Sequence, residues 1–76
     1  MAARKPSKPW AVVLSTPFGP VRTEHRSQPE AYRKINAVRE GIASGTSHVT
    51  SIRVEQWETD YGQWGHYETL SGDELR

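Results

Sequence analysis

Cysteine is absent from the 76 residues. That absence removes disulfides, thiolate metal sites and a Cys nucleophile together, and it fits a reducing compartment, so the expected location is the cytoplasm. Leucine is scarce as well, occurring only at positions 14, 70 and 75. With so few aliphatic side chains, Trp10, Trp57, Trp64 and the three tyrosines are expected to supply much of the buried area. Long apolar runs are missing too. No stretch approaches the roughly 20 residues of a membrane helix, and residues 1–9, MAARKPSKP, are basic without the apolar core of a secretory signal. A soluble chain with no membrane role is therefore expected. A single domain this short buries roughly 60% of the surface its unfolded state exposes, which leaves little room for a large pocket.

What is present is an uneven charge distribution. Residues 1–53 hold nine Lys/Arg against three acids, and residues 54–76 hold one against six. Such a division suits an anionic partner on one side, an acidic face that discourages wrong docking on the other, or head-to-tail self-association. Two merely solvated faces give the same composition.

The order of elements can be read from pattern. Residues 1–9 combine Lys, Arg, Ser and two prolines with almost nothing apolar, the composition of a flexible basic arm. WAVVLST is bulky and β-prone, PFGP is turn-forming, and VRTEHR alternates neutral with charged side chains. A hairpin with a four-residue loop over 17–20 pairs Thr16 with Val21, Leu14 with Thr23 and Val12 with His25, leaving Arg22, Glu24 and Arg26 on the other face. Ser27 and Glu30 match a capping box and Pro29 fits the first helical turn, so a helix is predicted from about residue 28. Ala31, Ile35, Val38 and Ile42 form its apolar stripe, and Gly45 is its expected C-cap.

A second hairpin is expected over 48–58 and 64–70 around TDYGQ, with Thr59 opposite Gln63 and Ile52 opposite Leu70. That register puts Val54 and Trp64 on the core face and Arg53, Trp57 and Tyr67 on the other, with Trp57 over Gly65. It also turns Glu68 inward, opposite Val54, without an evident partner. The chain then reads as α+β: two β-hairpins flanking one α-helix (ββαββ), an antiparallel sheet with the helix packed on one face. Its domain spans 10–70, followed by a flexible tail over 71–76.

Arginines beside exposed aromatics on an open sheet face, with a basic arm attached to the first strand, suit nucleic acid. The expected contacts are Arg4, Lys5 and Lys8 in the arm and Arg22, Arg26, Arg53, Trp57 and Tyr67 on the sheet. Residues 10–45 also resemble the arm-type DNA-binding domain of tyrosine recombinases and small proteins of actinobacterial phages and mobile elements. Trp10, residues 17–19, residues 22–26 and the pair Ala31-Tyr32 carry the likeness. It implies a sheet in the major groove, with phosphate or base contacts from Arg22 and Arg26; the hairpin over 48–70 lies outside it.

Enzymatic and metal chemistry find little footing. His25, His48 and His66 form no helical i, i+4 pair, so no metal or other cofactor is expected. Asp60 with Glu58, or Glu55 with Glu68, imitates a catalytic carboxylate pair, but carboxylates on a hairpin rim are ordinarily just solvated, so no enzyme is expected. Two function classes result. One is a small DNA-binding accessory protein of phage or mobile-element type, acting through the basic face and arm on duplex DNA. The other is a protein-binding module, such as a phage-encoded modulator of a host protein, using the sheet edge or the acidic hairpin. Oligomeric state is left open.

Overall fold

The two β-prone runs form the first hairpin in a computed structural model of the chain, which describes residues 6–75. Strand β1 spans Trp10–Thr16 and β2 spans Gly19–His25. The loop has two residues rather than four: Thr16 faces Gly19, Leu14 faces Val21, Val12 faces Thr23 and Trp10 faces His25. Pro17 and Phe18 alone make the turn, because Gly19 adopts a φ of +111° and reverses the chain where a side chain would be strained. The Thr16 hydroxyl locks it, donating to the Gly19 carbonyl at 2.7 Å and accepting from the Phe18 N–H at 3.2 Å. The expected pairing is thus displaced by two residues. An even displacement leaves every side chain on its expected face.

Helix α1 spans Gln28–Ala43, as the capping signals predict. The Ser27 hydroxyl accepts from the Glu30 N–H at 3.3 Å. Glu30 turns its carboxylate to His25, 3.8 Å from Nδ1. At the other end Gly45, with φ +78°, donates to the Ile42 carbonyl at 3.1 Å.

Strands β3 (Ser51–Glu58) and β4 (Gln63–Ser71) complete an antiparallel sheet of order β2-β1-β3-β4. Since β1 is antiparallel to both neighbours, β2 and β3 run the same way, and α1 carries the chain across, packing on β1 and β2. This is the expected ββαββ architecture. Beneath the helix lies one core: Trp10, Val12, Leu14, Ala31, Ile35, Ile52, Val54 and Leu75, with Tyr32, Val38, Ile42, Val49 and Leu70 partly buried against it.

Two parts of the reading change. Residues 71–76 do not form a loose tail as far as they are described: β4 runs to Ser71, Gly72 turns the chain at φ +58°, and a 3-10 turn over Gly72–Leu75 delivers Leu75 into the core, 4% exposed. GDEL is polar in composition, but a core short of leucine takes up the one it offers. The second change is in the β3–β4 ladder. Ile52 faces Leu70 and Val54 faces Glu68 as expected, but a bulge follows, and beyond it Glu55 faces His66, Trp57 faces Trp64 and Glu58 faces Gln63. Tyr67 is the extra residue. A slip of one residue exchanges faces, so Trp64 leaves the core side and Gly65 does not lie beneath Trp57. A Cβ on Gly65 would instead collide with the Glu58 side chain.

The bulge turns Tyr67 to the same side as the inward Glu68, and the helix supplies partners for both. Consecutive side chains at 67 and 68 both turn toward the helix. The Tyr32 hydroxyl donates to the Glu68 carboxylate, and Gln28 Nε2 donates to the Tyr67 hydroxyl at 3.0 Å. The Tyr67 ring stands edge-on to Trp10, centroids 4.9 Å apart. Burial pushes the Tyr32 phenol above its ordinary value, and the Glu68 hydrogen bond and charge add to it, which keeps the donor proton in place.

Candidate functional site on the open face of the sheet

Alternation along each strand decides what the helix-free face presents. β1 contributes Ala11, Val13 and Ser15; β2 contributes Arg22 and Glu24; β3 contributes Arg53, Glu55 and Trp57; β4 contributes Trp64, His66 and Thr69. Arg22 is the longest reach among them. From β2 it crosses β1, two strand spacings or roughly 9.5 Å, and its Nη1 donates to Glu55 Oε1 at 2.6 Å. Its guanidinium carbon also lies 4.6 Å from the centroid of the Trp64 ring, within the range of a cation–π contact. Arg53 Nε donates to the second oxygen of the same carboxylate at 3.0 Å, and Glu24 stands 3.6 Å from Arg22 Nε. Trp57 meets Trp64 edge-on, centroids 5.6 Å apart. With these side chains spread across it, Ala11 has 0% exposure although no helix or strand among the described residues covers it.

Glu55 is the electrostatic centre of this face. Burial by itself raises its pKa, but the hydrogen bonds and charges of Arg22 and Arg53 together outweigh that and hold it below its ordinary 4.5. At neutral pH one carboxylate therefore clamps two guanidiniums. The face predicted to be basic carries as many carboxylates, Glu24 and Glu55, as arginines.

Of the expected contact residues, the fold brings together Arg22, Arg53 and Trp57. Tyr67 stands on the helix side beside Trp10, because the bulge turns it away from the open face. Arg26 lies in the bend after β2, beyond the ladder, and is exposed. Lys8 is exposed one residue before Pro9, whose carbonyl accepts from the Trp57 N–H at 2.7 Å. Arg4 and Lys5 lie outside the described residues. Sequence reading missed two members of the cluster, Glu55 and Trp64. Glu55 was findable, since period-two alternation places it between Arg53 and Trp57 on one face. Trp64 was not, because its face depends on the bulge.

Next to this cluster a recess of about 320 Å³ is lined by residues 56–61 at the β3–β4 turn. The Trp57 indole N–H is buried without a hydrogen-bond partner among the described residues. Glu55 and Glu68, considered as a carboxylate pair, point to opposite faces and cannot act together. Among the described residues there is no group of three or more His, Asp or Glu placed to hold a metal ion, and no helix long and apolar enough to cross a membrane. Neither a family model, nor a curated protein, nor a solved structure matches the chain. The arrangement offers a charge-compensated surface of two indoles and two arginines, and on the same face His66 Nε2 lies 2.7 Å from the Thr69 hydroxyl.

Proposed function

We propose that the chain is a small non-enzymatic binding module whose working surface is the open sheet face, and that the partner engaged there is a protein. The observation that carries this reading is the Glu55 clamp. A phosphate backbone is bound by cations that displace its condensed counterions, whereas Arg22 and Arg53 are already paired to a carboxylate at 2.6 and 3.0 Å. The chain as a whole is close to neutral, with ten Lys/Arg against nine Asp/Glu, so it carries no strong cationic field. Tryptophan with pre-organised arginine is, by contrast, the composition of energetic centres in protein interfaces.

DNA binding of phage or mobile-element type is the second reading, and a specific feature favours it. Lys8 and Arg26 are exposed and without a partner among the described residues, and Arg4 and Lys5 add to them in the sequence. A titration with random duplex DNA separates the two. The protein reading expects no retardation by micromolar protein at about 50 mM salt, where even non-specific binders register. Retardation that weakens with salt, with a log–log slope flattened by roughly two in an Arg22→Ala/Arg26→Ala variant, would establish the DNA reading in its place.

A further inference from the structure

The sheet has two edges, and they differ in regularity. Along β4 the bulge at Tyr67 interrupts the row of backbone groups that a further strand would need. The other edge, β2, pairs without a break from Gly19 to His25. The carbonyls of Pro9 and Ser15 accept from the Trp57 and Thr50 N–H groups at 2.7 and 2.9 Å, so odd-numbered residues of β1 turn their backbone groups to β3 and even-numbered ones to β2. Through the register of the first hairpin, Gly19, Val21, Thr23 and His25 are then bonded inward. Arg22 and Glu24 hold their N–H and C=O groups outward at the edge, with the Pro20 C=O beside them. Val21 is on the helix side yet 48% exposed, so α1 leaves this margin open.

Proline and charge ordinarily defend such an edge. Here the two charges are of opposite sign and two residues apart, so they select a register instead of blocking every one. A copy of β2 is repelled where Arg22 meets Arg22 or Glu24 meets Glu24, and attracted where Arg22 meets Glu24. We infer that the chain pairs with a second copy of itself through β2, antiparallel about a two-fold axis at Thr23, so that Arg22 of each molecule faces Glu24 of the other. In that register the outward residues are each other's partners, and every such pair exchanges both backbone bonds. Pro20 comes opposite Arg26, beyond the end of the strand, where its missing N–H matters least. On the helix side Thr23 meets Thr23 and the exposed Val21 meets His25. Arg22 reaches Glu55 through Nη1, which leaves its other nitrogens for Glu24 of the second copy. The contact is isologous and closes as a dimer. Its axis is normal to the sheet, so the two open faces join into one continuous surface. A single pair of short strands buries little area, which makes the contact weak.

The inference rests on the sheet edge, so it stands or falls separately from the preceding reading. Backbone amide spectra of the ¹⁵N-labelled protein, taken at about 20 μM and about 1 mM so that a contact in the millimolar range becomes populated, are expected to shift over residues 21–26. Hydrogen exchange at Arg22 and Glu24 should slow only at the higher concentration. Glu24→Pro should abolish the shifts and leave the fold intact, because proline is tolerated on an edge strand where the N–H faces solvent. Cross-linking then tests the register. The chain has no cysteine, and a residue on the axis lies about 4.5 Å from its copy between Cα atoms, within disulfide reach. Thr23→Cys should therefore form a covalent dimer under mild oxidation at about 1 mM. Val21→Cys should not, since its copies stand roughly 13 Å apart along the strands, but it should cross-link when mixed with His25→Cys. Absence of concentration-dependent shifts, shifts that survive Glu24→Pro, or Val21→Cys cross-linking to itself as readily as Thr23→Cys would each overturn the proposal. Equally slow exchange at Glu24 at both concentrations would overturn it too, by showing that the edge is covered within one molecule.

Discussion

At the scale of single residues, two carboxylates in β-strands have opposite roles set by what reaches them. Glu55 on the open face is held ionised by Arg22 and Arg53. Glu68, on the helix side, receives the Tyr32 hydroxyl. A group whose folded-state pKa is depressed contributes stability that is present above its unfolded value and lost as pH falls through the lower folded value. Stability should therefore decline on acidification below about pH 4.5, and Glu55→Gln should remove this component of the decline in denaturant titrations at several pH values. The same substitution frees two guanidiniums. It is expected to cost only about 1 kcal/mol, since both can be hydrated, while raising salt-sensitive DNA retardation above that of the parent in a mobility-shift titration. On the helix side, Tyr32→Phe leaves Glu68 without its donor, and a loss of about 1–3 kcal/mol is expected in urea unfolding. A loss near zero would mean that water replaces the phenol at no cost.

At the scale of elements, the bulge in β4 and the terminal turn fix which side chains enter the core. One extra residue at Tyr67 separates a core-facing half of β4 from a half that presents Trp64 beside Trp57. Deleting that residue would leave a regular ladder in which Glu68 still faces Val54 and Trp64 still faces Trp57, so the Trp57–Trp64 signal should persist in near-UV circular dichroism while the contacts of Tyr67 with Trp10 and Gln28 are lost. The closing 3-10 turn is short, yet Leu75 belongs to the core cluster. Leu75→Ala should destabilise by about 2 kcal/mol, the low end of the range for buried leucine because a chain end can relax. An effect under about 0.5 kcal/mol, the scale of an ordinary surface substitution, would place residue 75 outside the core. By comparison Ile35, buried at the centre of the helix stripe, should cost about 2–5 kcal/mol when cut to alanine.

At the scale of the whole molecule, the uneven charge along the chain does not survive folding as two oppositely charged faces. Antiparallel pairing of β1 with β3 sets Glu55, from the acidic segment, against Ala11 and within reach of Arg22. The ends of the sheet are mixed as well: Glu58 and Asp60 follow β3 at the end where Arg26 follows β2. The open sheet face presents a surface on which charge is cancelled.

Local signals determined the elements of this protein. Ser27, Pro29 and the stripe through Ala31 and Ile35 specify the helix and its start, because capping and 3.6-residue periodicity act within a few residues. Parity along β1 and β2 placed Val12, Leu14 and Arg22 on the correct faces even with the loop length misjudged, since only an odd slip exchanges faces. Strand order, the bulge at Tyr67, the burial of Leu75 and the meeting of Arg22, Glu55 and Trp64 belong to the tertiary structure. Each depends on pairing between segments distant in sequence, where the decisive energies come from which side chains can be satisfied together: a phenol for Glu68, a leucine for a thin core, and one carboxylate for two arginines.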